Sequence, residues 1–94
     1  MVNLAPTNHR LYAALGDHHL NMHEPLAAIE AYQTALALQI VSDGSPTARL
    51  LHQLAVSCNY NGDLVRARHY YVLTLHRLAE AWASASPVVR STRM

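Results

Sequence analysis

The sequence predicts an all-α protein of four helices, and three observations lead to this prediction. Apolar residues recur at intervals of three and four positions in four separate segments, as residues on one face of a helix do. Short turn signals separate these segments. No segment of useful length alternates apolar and polar residues in the way a half-buried strand does. With 94 residues, the chain is expected to form a single domain, residues 1–94.

The first two predicted helices lie on either side of a short turn. Thr7 or Asn8 is expected to cap the first helix, because a short polar side chain can accept a hydrogen bond from an unpaired N–H of the first turn. Pro25 opens the second helix, where the missing N–H of proline has no intrahelical partner to lose. The spacing groups Leu11, Ala14, Leu15, His18 and Met22 on the first helix, and Ala28, Ile29, Tyr32, Ala35, Leu36 and Gln39 on the second.

A polar break at residues 41–46 separates the second predicted helix from the third. The third helix is expected to end at Asn61 and Gly62, since glycine readily adopts the left-handed conformation of a helix end. Asp63 is expected to cap the fourth helix, which runs from 64 to 85 and ends at Ser86-Pro87. The apolar positions are Leu50, Leu51, Leu54, Ala55 and Cys58 on the third helix, and Ala67, Tyr71, Leu75, Leu78 and Trp82 on the fourth.

Composition and charge exclude several classes of protein. A hydrophobic fraction of 51% with only 14% charged residues excludes intrinsic disorder. A formal net charge of +1, without any lysine, gives no electrostatic basis for binding nucleic acid or anionic membranes. No apolar run is long enough to insert into a membrane, and the N-terminus lacks the pattern of a secretory signal. We therefore expect a cytoplasmic protein.

The sequence gives no basis for catalysis. Its three glycines are too dispersed to form a phosphate-binding loop, and its six acidic residues are too scattered to act as a paired acid and base. The single cysteine, Cys58, falls on the predicted core face, where cysteine behaves as a small hydrophobe rather than a nucleophile. We expect no catalytic residues and no cofactor.

Seven histidines raise the possibility of a metal site. The candidates are His69, His76 and Glu80 on the fourth helix, with His18, His19 and His23 near the end of the first. One helix face usually supplies only two ligands, and His69 and His76 are two turns apart. We therefore predict no metal site, and a histidine-based metal-binding helical protein is kept as an alternative hypothesis.

A displacement of 39 residues superposes the two halves of the chain. Arg10, Leu11, Leu15, Ala28, Tyr32 and Leu36 then coincide with Arg49, Leu50, Leu54, Ala67, Tyr71 and Leu75. The short turns at residues 23–25 and 61–63 also correspond. Each half is therefore predicted to be a hairpin of two helices joined by a tight turn.

This repeat resembles the tetratricopeptide repeat (TPR) family, whose unit of about 34 residues has an ordered pattern of bulky, small and aromatic positions. The matching residues are Tyr12, Leu15, Gly16, His19, Ala28, Tyr32 and Ala35 in the first unit, and Leu51, Leu54, Ala55, Cys58, Gly62, Asp63, Ala67, Tyr71 and Thr74 in the second. His19 and Cys58 stand where the family has tyrosine, and Ile40 replaces its closing proline. The extra spacing is assigned to a loop at residues 40–46.

The resemblance implies a right-handed α-solenoid fragment. Residues 8–40 form the first TPR-like repeat, residues 47–80 form the second, and residues 81–94 form a helix extension and tail. Small residues such as Gly16 and Ala55 are expected where two helices cross closely, with the tyrosines filling the space beside them.

The resemblance also implies that a partner binds on the concave surface made by the first helix of each hairpin. The residues expected there are Arg10, Asp17, Leu20, Asn21, Arg49, His52, Val56, Asn59 and Tyr60. The family's clamp for C-terminal carboxylates is disfavoured, because Ala13, Asp17 and Gln53 occupy the matching positions. The mixed lining is better suited to a helical or extended apolar segment.

The fourth predicted helix is longer than a repeat requires, and its distal stripe has no third hairpin to cover it. Leu78 and Trp82 are therefore added to the candidate binding residues. Exposure of such side chains would forfeit about 1.5–3 kcal/mol each. We expect another chain to cover the stripe, in a homodimer or an obligate hetero-oligomer.

The expected function is that of a non-catalytic protein–protein interaction module. The chain's size and uncovered stripe are similar to those of the TPR co-chaperone subunits of bacterial type III secretion, which implies a chaperone role. The alternative is a fragment of a longer TPR regulator or scaffold, in which the next hairpin covers the Trp82 stripe.

Overall fold

The computed structural model describes residues 8–85, which form four helices. These are α1 (His9–Asn21), α2 (Pro25–Asp43), α3 (Ala48–Tyr60) and α4 (Leu64–Ala85). No strand occurs within these described residues, so the predicted all-α class is confirmed. The predicted end of the fourth helix at Ser86-Pro87 lies outside the described residues.

Three of the four helices begin at a residue whose side chain accepts a hydrogen bond from a free N–H of the first turn. The side chain of Asn8 accepts a hydrogen bond from the N–H two residues on, at 3.0 Å. The side chain of Asp63 accepts a hydrogen bond from the N–H of Arg66, at 3.1 Å. Both caps were predicted, whereas the cap of α3 by Thr47, at 3.3 Å, was not. Pro25 is the first residue of α2, as predicted.

The turns that close the two hairpins have the same hydrogen bonds. In the first, the N–H of Glu24 donates to the carbonyl of His19 at 2.8 Å. In the second, the N–H of Asp63 donates to the carbonyl of Cys58 at 2.9 Å. The N–H of the preceding residue, His23 or Gly62, also donates to the carbonyl three residues earlier in the chain. The two bonds together form the Schellman pattern of a helix end. The two turns lie 39 residues apart, which is the predicted repeat spacing.

The end of α2 differs from the prediction. A break was expected from residue 41, with the surplus residues in a loop, but α2 continues to Asp43. Nothing in residues 41–43 prevents helix continuation, and the first left-handed residue is Gly44, with φ of 86°. The residues by which the first repeat exceeds the length of a TPR unit are therefore largely one more helical turn of α2. A short loop at residues 44–47 follows it.

The helices pack in chain order. α1 packs on α2 and α3 packs on α4, so each half is a hairpin, while α2 also packs against α3. The buried hydrophobic residues are Ala28, Ile29, Tyr32, Ala35, Leu50, Leu51, Leu54, Ala55, Cys58 and Ala67. All of them were predicted apolar positions. Leu11 and Leu15, on the predicted face of the first helix, remain 40% exposed.

Gly16, the buried residue of α1, lies directly against Tyr32 of α2. A Cβ built on Gly16 would lie 2.5 Å from the ring of Tyr32, well inside van der Waals contact. The tyrosine ring therefore fills the space that glycine leaves, which is the crossing predicted from the sequence. Tyr32 itself is completely buried.

We expect Gly16→Ala to destabilise the protein by about 1–3 kcal/mol, because the Tyr32 ring cannot move without disturbing the core. At an unconstrained helical site the same change stabilises by about 1 kcal/mol. Urea unfolding would measure the difference. The control is a double-mutant cycle that combines Gly16→Ala with Tyr32→Leu. The double variant should lose less stability than the sum of the losses of the two single variants. Strictly additive losses would contradict a direct clash between the new Cβ and the ring.

The two turns also predict opposite responses to substitution. His23 has a positive φ of 61° at the position where the second turn has Gly62, with φ of 83°. Replacing His23 with glycine should raise the unfolding free energy by about 0.5–1 kcal/mol, because a residue with a Cβ is strained in this conformation. Gly62→Ala is the matched control and should lower it by about 1 kcal/mol. Shifts of the same sign in both variants would be inconsistent with this explanation.

Candidate binding surfaces

The predicted binding residues fall mainly on three surfaces. Arg10, Asp17 and Arg49 line a groove of about 410 Å³ between the first half of α1 and the start of α3, here called the polar groove. Leu20 and Tyr60 line a second groove of about 320 Å³, here called the apolar groove. Leu78 and Trp82 lie on the exposed face of α4. The remaining candidates, Asn21, His52, Val56 and Asn59, line neither groove.

Asp17 is the centre of a hydrogen-bond network that joins three helices. The hydroxyl of Tyr32, from α2, donates to its carboxylate. The side-chain amide of Gln53, from α3, donates to Asp17 at 3.2 Å and to the Tyr32 oxygen at 3.2 Å. Arg49, also from α3, donates to the other carboxylate oxygen at 3.3 Å. Asp17 therefore already has partners within the chain and lies at the floor of the polar groove.

The network changes the titration of two of its members. Partial burial favours the neutral form of Asp17, but the hydrogen bonds from Tyr32, Gln53 and Arg49 outweigh burial and lower the pKa of its carboxyl. Burial raises the pKa of the Tyr32 hydroxyl, and the hydrogen bond to Asp17 raises it further. At neutral pH the pair therefore consists of a carboxylate that accepts and a phenol that donates.

The apolar groove lies at the other end of α1. It is lined by Leu20 and His23 from the first hairpin, Pro25 at the start of α2, and Tyr60 at the end of α3. Leu20 is half-buried and supplies an apolar wall, while Tyr60 is 70% exposed. None of the four residues carries a carboxylate or a guanidinium, so the groove offers apolar contacts and a few hydrogen bonds.

The exposed face of α4 is largely apolar. Its large exposed hydrophobic side chains, here called the α4 stripe, are Leu64, Val65, Val72, Leu75, Leu78 and Trp82. Arg77 attaches α4 to the loop between α2 and α3 by donating to the carbonyl of Pro46 at 2.9 Å. Residues 78–84, which follow it, are all exposed.

The other candidates have individual environments. The ring of His52 packs edge-on against Tyr71, with 5.9 Å between the ring centroids. Val56 is half-buried, and both Asn21 and Asn59 are exposed. These residues do not meet in one site in the free chain.

The histidines do not converge. His19 approaches Glu24 at 2.8 Å across the first turn. Within residues 8–85, no three side chains of the metal-binding types come close enough to hold an ion. Cys58 is buried, and burial raises the pKa of its thiol, which disfavours the reactive thiolate. No helix in this part of the chain is both long enough and apolar enough to cross a bilayer.

Sequence reasoning missed several residues of these surfaces. Gln53 was considered only as a departure from a carboxylate clamp, and Tyr32 only as a packing residue, yet both hold Asp17. Asp43 lines the polar groove because α2 is longer than predicted. The repeat alignment places Asp17 and Gln53 on neighbouring helices, which is the one sequence signal that could have suggested their contact.

The chain matches no model of a known protein family, no curated protein and no solved structure. The resemblance to the TPR family therefore depends on the sequence pattern alone.

Acid should weaken the fold through Asp17. Its pKa is lower in the folded chain than the ordinary value of 3.8, so the unfolded chain takes up a proton first as the pH falls. The stabilisation is present at neutral pH and is lost as the pH drops through about 4 towards the folded-state pKa. Urea unfolding between neutral and acid pH should show a smaller loss in Asp17→Asn than in the wild type.

Glu30→Gln is the matched control for this experiment, since Glu30 is an exposed carboxylate on α2 outside the network. It should keep the wild-type pH dependence. An Asp17→Asn variant that loses as much stability in acid as the wild type would contradict the proposed role of the network.

Proposed function

We propose that this chain is a non-catalytic protein–protein interaction module of the TPR type, which binds a helical or extended apolar segment of a partner. The apolar groove carries the proposal. It is concave, lies between the first helices of the two hairpins, and combines a half-buried leucine, Leu20, with an exposed aromatic ring, Tyr60. Grooves of this chemistry accommodate apolar side chains of a docked segment.

The repeated backbone geometry supports the TPR part of the proposal. Both hairpin turns have the same hydrogen bonds at a spacing of 39 residues. Gly16 lies at a close helix crossing against Tyr32, as the resemblance implies. Ala28, Ala55 and Ala67, the other small positions of the pattern, are all buried.

Tyr60 is the residue expected to contribute most to binding. Tyrosine is enriched among the residues that dominate interface energies, because its ring offers a large, rigid surface and its hydroxyl can still form a hydrogen bond. The 70% exposure of Tyr60 in the free chain leaves most of that surface available for a partner.

The polar groove at the other end of α1 would orient the same segment. It presents two arginines, Arg10 and Arg49, and two acids, Asp17 and Asp43. Since both signs of charge are present, the groove selects for a polar or mixed sequence rather than for a strongly acidic one. A segment running along α1 would contact both grooves.

A narrower form of the proposal is a cytoplasmic chaperone subunit of the type III secretion kind. A chaperone that shields a self-assembling subunit needs a groove for that subunit and a further surface for a second component. The apolar groove and the α4 stripe are two such separate surfaces.

The proposal can be tested by selecting peptides from a random display library against the purified full chain. We expect enrichment of peptides with apolar residues three and four positions apart, or at alternate positions. Tyr60→Ala should weaken the selected peptides by at least about tenfold in a fluorescence anisotropy titration, as expected for an interface hot spot.

Val41→Ala is the matched control, because Val41 is an exposed aliphatic residue near the far end of α2. It should leave peptide affinity unchanged. Failure to enrich any peptide family, or equal affinities for the wild type and Tyr60→Ala, would count against the apolar groove as the binding site.

A further inference from the structure

Six side chains of α4 follow a spacing of alternately four and three residues. They are Leu64, Arg68, Tyr71, Leu75, Leu78 and Trp82, here called the α4 seam. This is the seven-residue repeat by which one helix packs along another. Five of the six are exposed, and Tyr71 is half-buried. α4 therefore presents a helix-pairing pattern on a face that the described residues leave largely uncovered.

We propose that the α4 seam pairs with the same seam of a second copy of this chain, in antiparallel orientation. The pattern is self-complementary about residue 73, so that Leu64 meets Trp82, Arg68 meets Leu78 and Tyr71 meets Leu75 of the second copy. Each contact then occurs twice, as a two-fold symmetric interface requires. The pairing extends over about 30 Å of helix.

The area available is sufficient for a stable dimer. The exposed side chains of the α4 stripe include Leu75 at 66%, Leu78 at 52% and Trp82 at 60% exposure. With Leu64, the exposed apolar side chains of the seam present roughly 500 Å² per chain, and the flanking Val65 and Val72 raise this to roughly 700 Å², compared with ~800 Å² that each partner buries in a standard stable interface.

Arg68 determines the orientation. In a parallel pair the two Arg68 side chains would face each other across the seam, and like charges there are unfavourable. In the antiparallel pair Arg68 lies beside Leu78 and within one turn of Trp82 of the second copy. Its aliphatic part can cover the leucine, while the guanidinium reaches solvent or the face of the indole ring.

Arg68 also argues against coverage of the stripe by a further hairpin of the same kind. In the repeat alignment Arg68 is equivalent to Ile29, which is buried in α2 with 2% exposure. A third hairpin packed on α4 in the way that α3 packs on α2 would bury Arg68 equally. An unpaired buried charge is strongly unfavourable. A helix pair leaves the edge of its seam open to solvent and avoids this cost.

The pairing does not depend on the proposed function. The apolar groove is lined by α1, α3 and the start of α2, and none of its residues belongs to the α4 seam. A dimer would carry two open grooves. The groove and the seam can therefore be tested with separate variants.

Sedimentation equilibrium of the full chain is the first test, and we expect a dimer. Leu64→Glu combined with Leu75→Glu should raise the dissociation constant at least about a hundredfold, because each chain then places two charges opposite the uncharged rings of Trp82 and Tyr71 of the second copy. Leu26→Glu with Val41→Glu is the matched control, as both residues are similarly exposed on α2. Circular dichroism checks that every variant is helical. Tyr60→Ala should remain dimeric.

Trp82 gives an independent readout because it is the single tryptophan of the chain. In the dimer its ring packs against Leu64 of the second copy. Dilution should therefore shift its fluorescence emission to longer wavelength, with the same midpoint as the sedimentation data. A tryptophan spectrum that does not change over the dissociation would mean that the chain associates through another surface, which would overturn the proposal.

Single cysteines determine the orientation. Val72 lies next to the two-fold axis of the antiparallel pair. The two copies of residue 79, in contrast, are about 20 Å apart along the direction of the helices. A short bismaleimide should therefore cross-link Val72→Cys into a covalent dimer but not Ala79→Cys. Wild-type protein is the control, since its Cys58 is buried. Equal cross-linking of both variants would indicate a parallel pair and overturn the proposed orientation.

A monomer at about 100 µM would overturn the pairing itself, because interfaces of this size bind at micromolar concentrations or tighter. In that case the stripe would be left for a different protein or for a further hairpin. Peptide binding in the apolar groove would be unaffected by this outcome, so failure of the pairing and failure of the proposed function can be distinguished.

Discussion

The contact between Gly16 and Tyr32 is the constraint on which the rest of the structure depends. Glycine lets α1 approach α2 until the tyrosine ring fills the space between them. The ring is buried, and its hydroxyl donates a hydrogen bond to Asp17, the residue that follows Gly16 in the chain. Gln53 then completes the hydrogen bonds of both groups from α3. One side chain therefore sets the spacing within the first hairpin and also fastens that hairpin to the second, at no cost in unsatisfied polar atoms.

The second hairpin does not reproduce this arrangement, although its backbone turn is the same. Ala55 stands in place of the glycine and has a Cβ of its own, and Tyr71 is only half-buried, with its ring against His52. The difference arises because α2 and α4, the second helices of the two hairpins, have different neighbours. α2 packs against α1 on one side and α3 on the other, whereas α4 packs mainly against α3. Two of the positions that α2 buries, Ile29 and Gln39, consequently correspond to the exposed Arg68 and Leu78 of α4.

The sequence was sufficient to predict the two hairpin turns and two of the helix caps. Asn8, Asp63 and Gly62 act through neighbours within a few residues, so their caps and turns can be identified from the sequence alone. The length of α2 could not be identified this way, because residues 41–43 tolerate a helix or a loop. The network of Asp17 was also unpredictable: its partners are 15, 32 and 36 residues away, and only the packing of the hairpins brings them together. The sequence therefore predicts Asp17 and Arg49 as partner-binding residues, whereas the structure shows that they bind each other.

Binding in the grooves and binding on the α4 stripe are expected to affect the stability of the fold in different ways. A groove between preformed helices binds its segment with little change in the chain, so its occupancy adds stability that grows only with the logarithm of the ligand concentration relative to the dissociation constant. The α4 stripe belongs to the helix with the least support, since residues 78–84 are exposed and, within the described residues, Arg77 is the last side chain of α4 that hydrogen-bonds to another part of the chain. Covering the stripe would therefore hold the final turns of α4 in place. The stability of that part of the molecule then depends on the concentration of whatever covers it, whereas the network around Asp17 joins α1, α2 and α3 within a single chain.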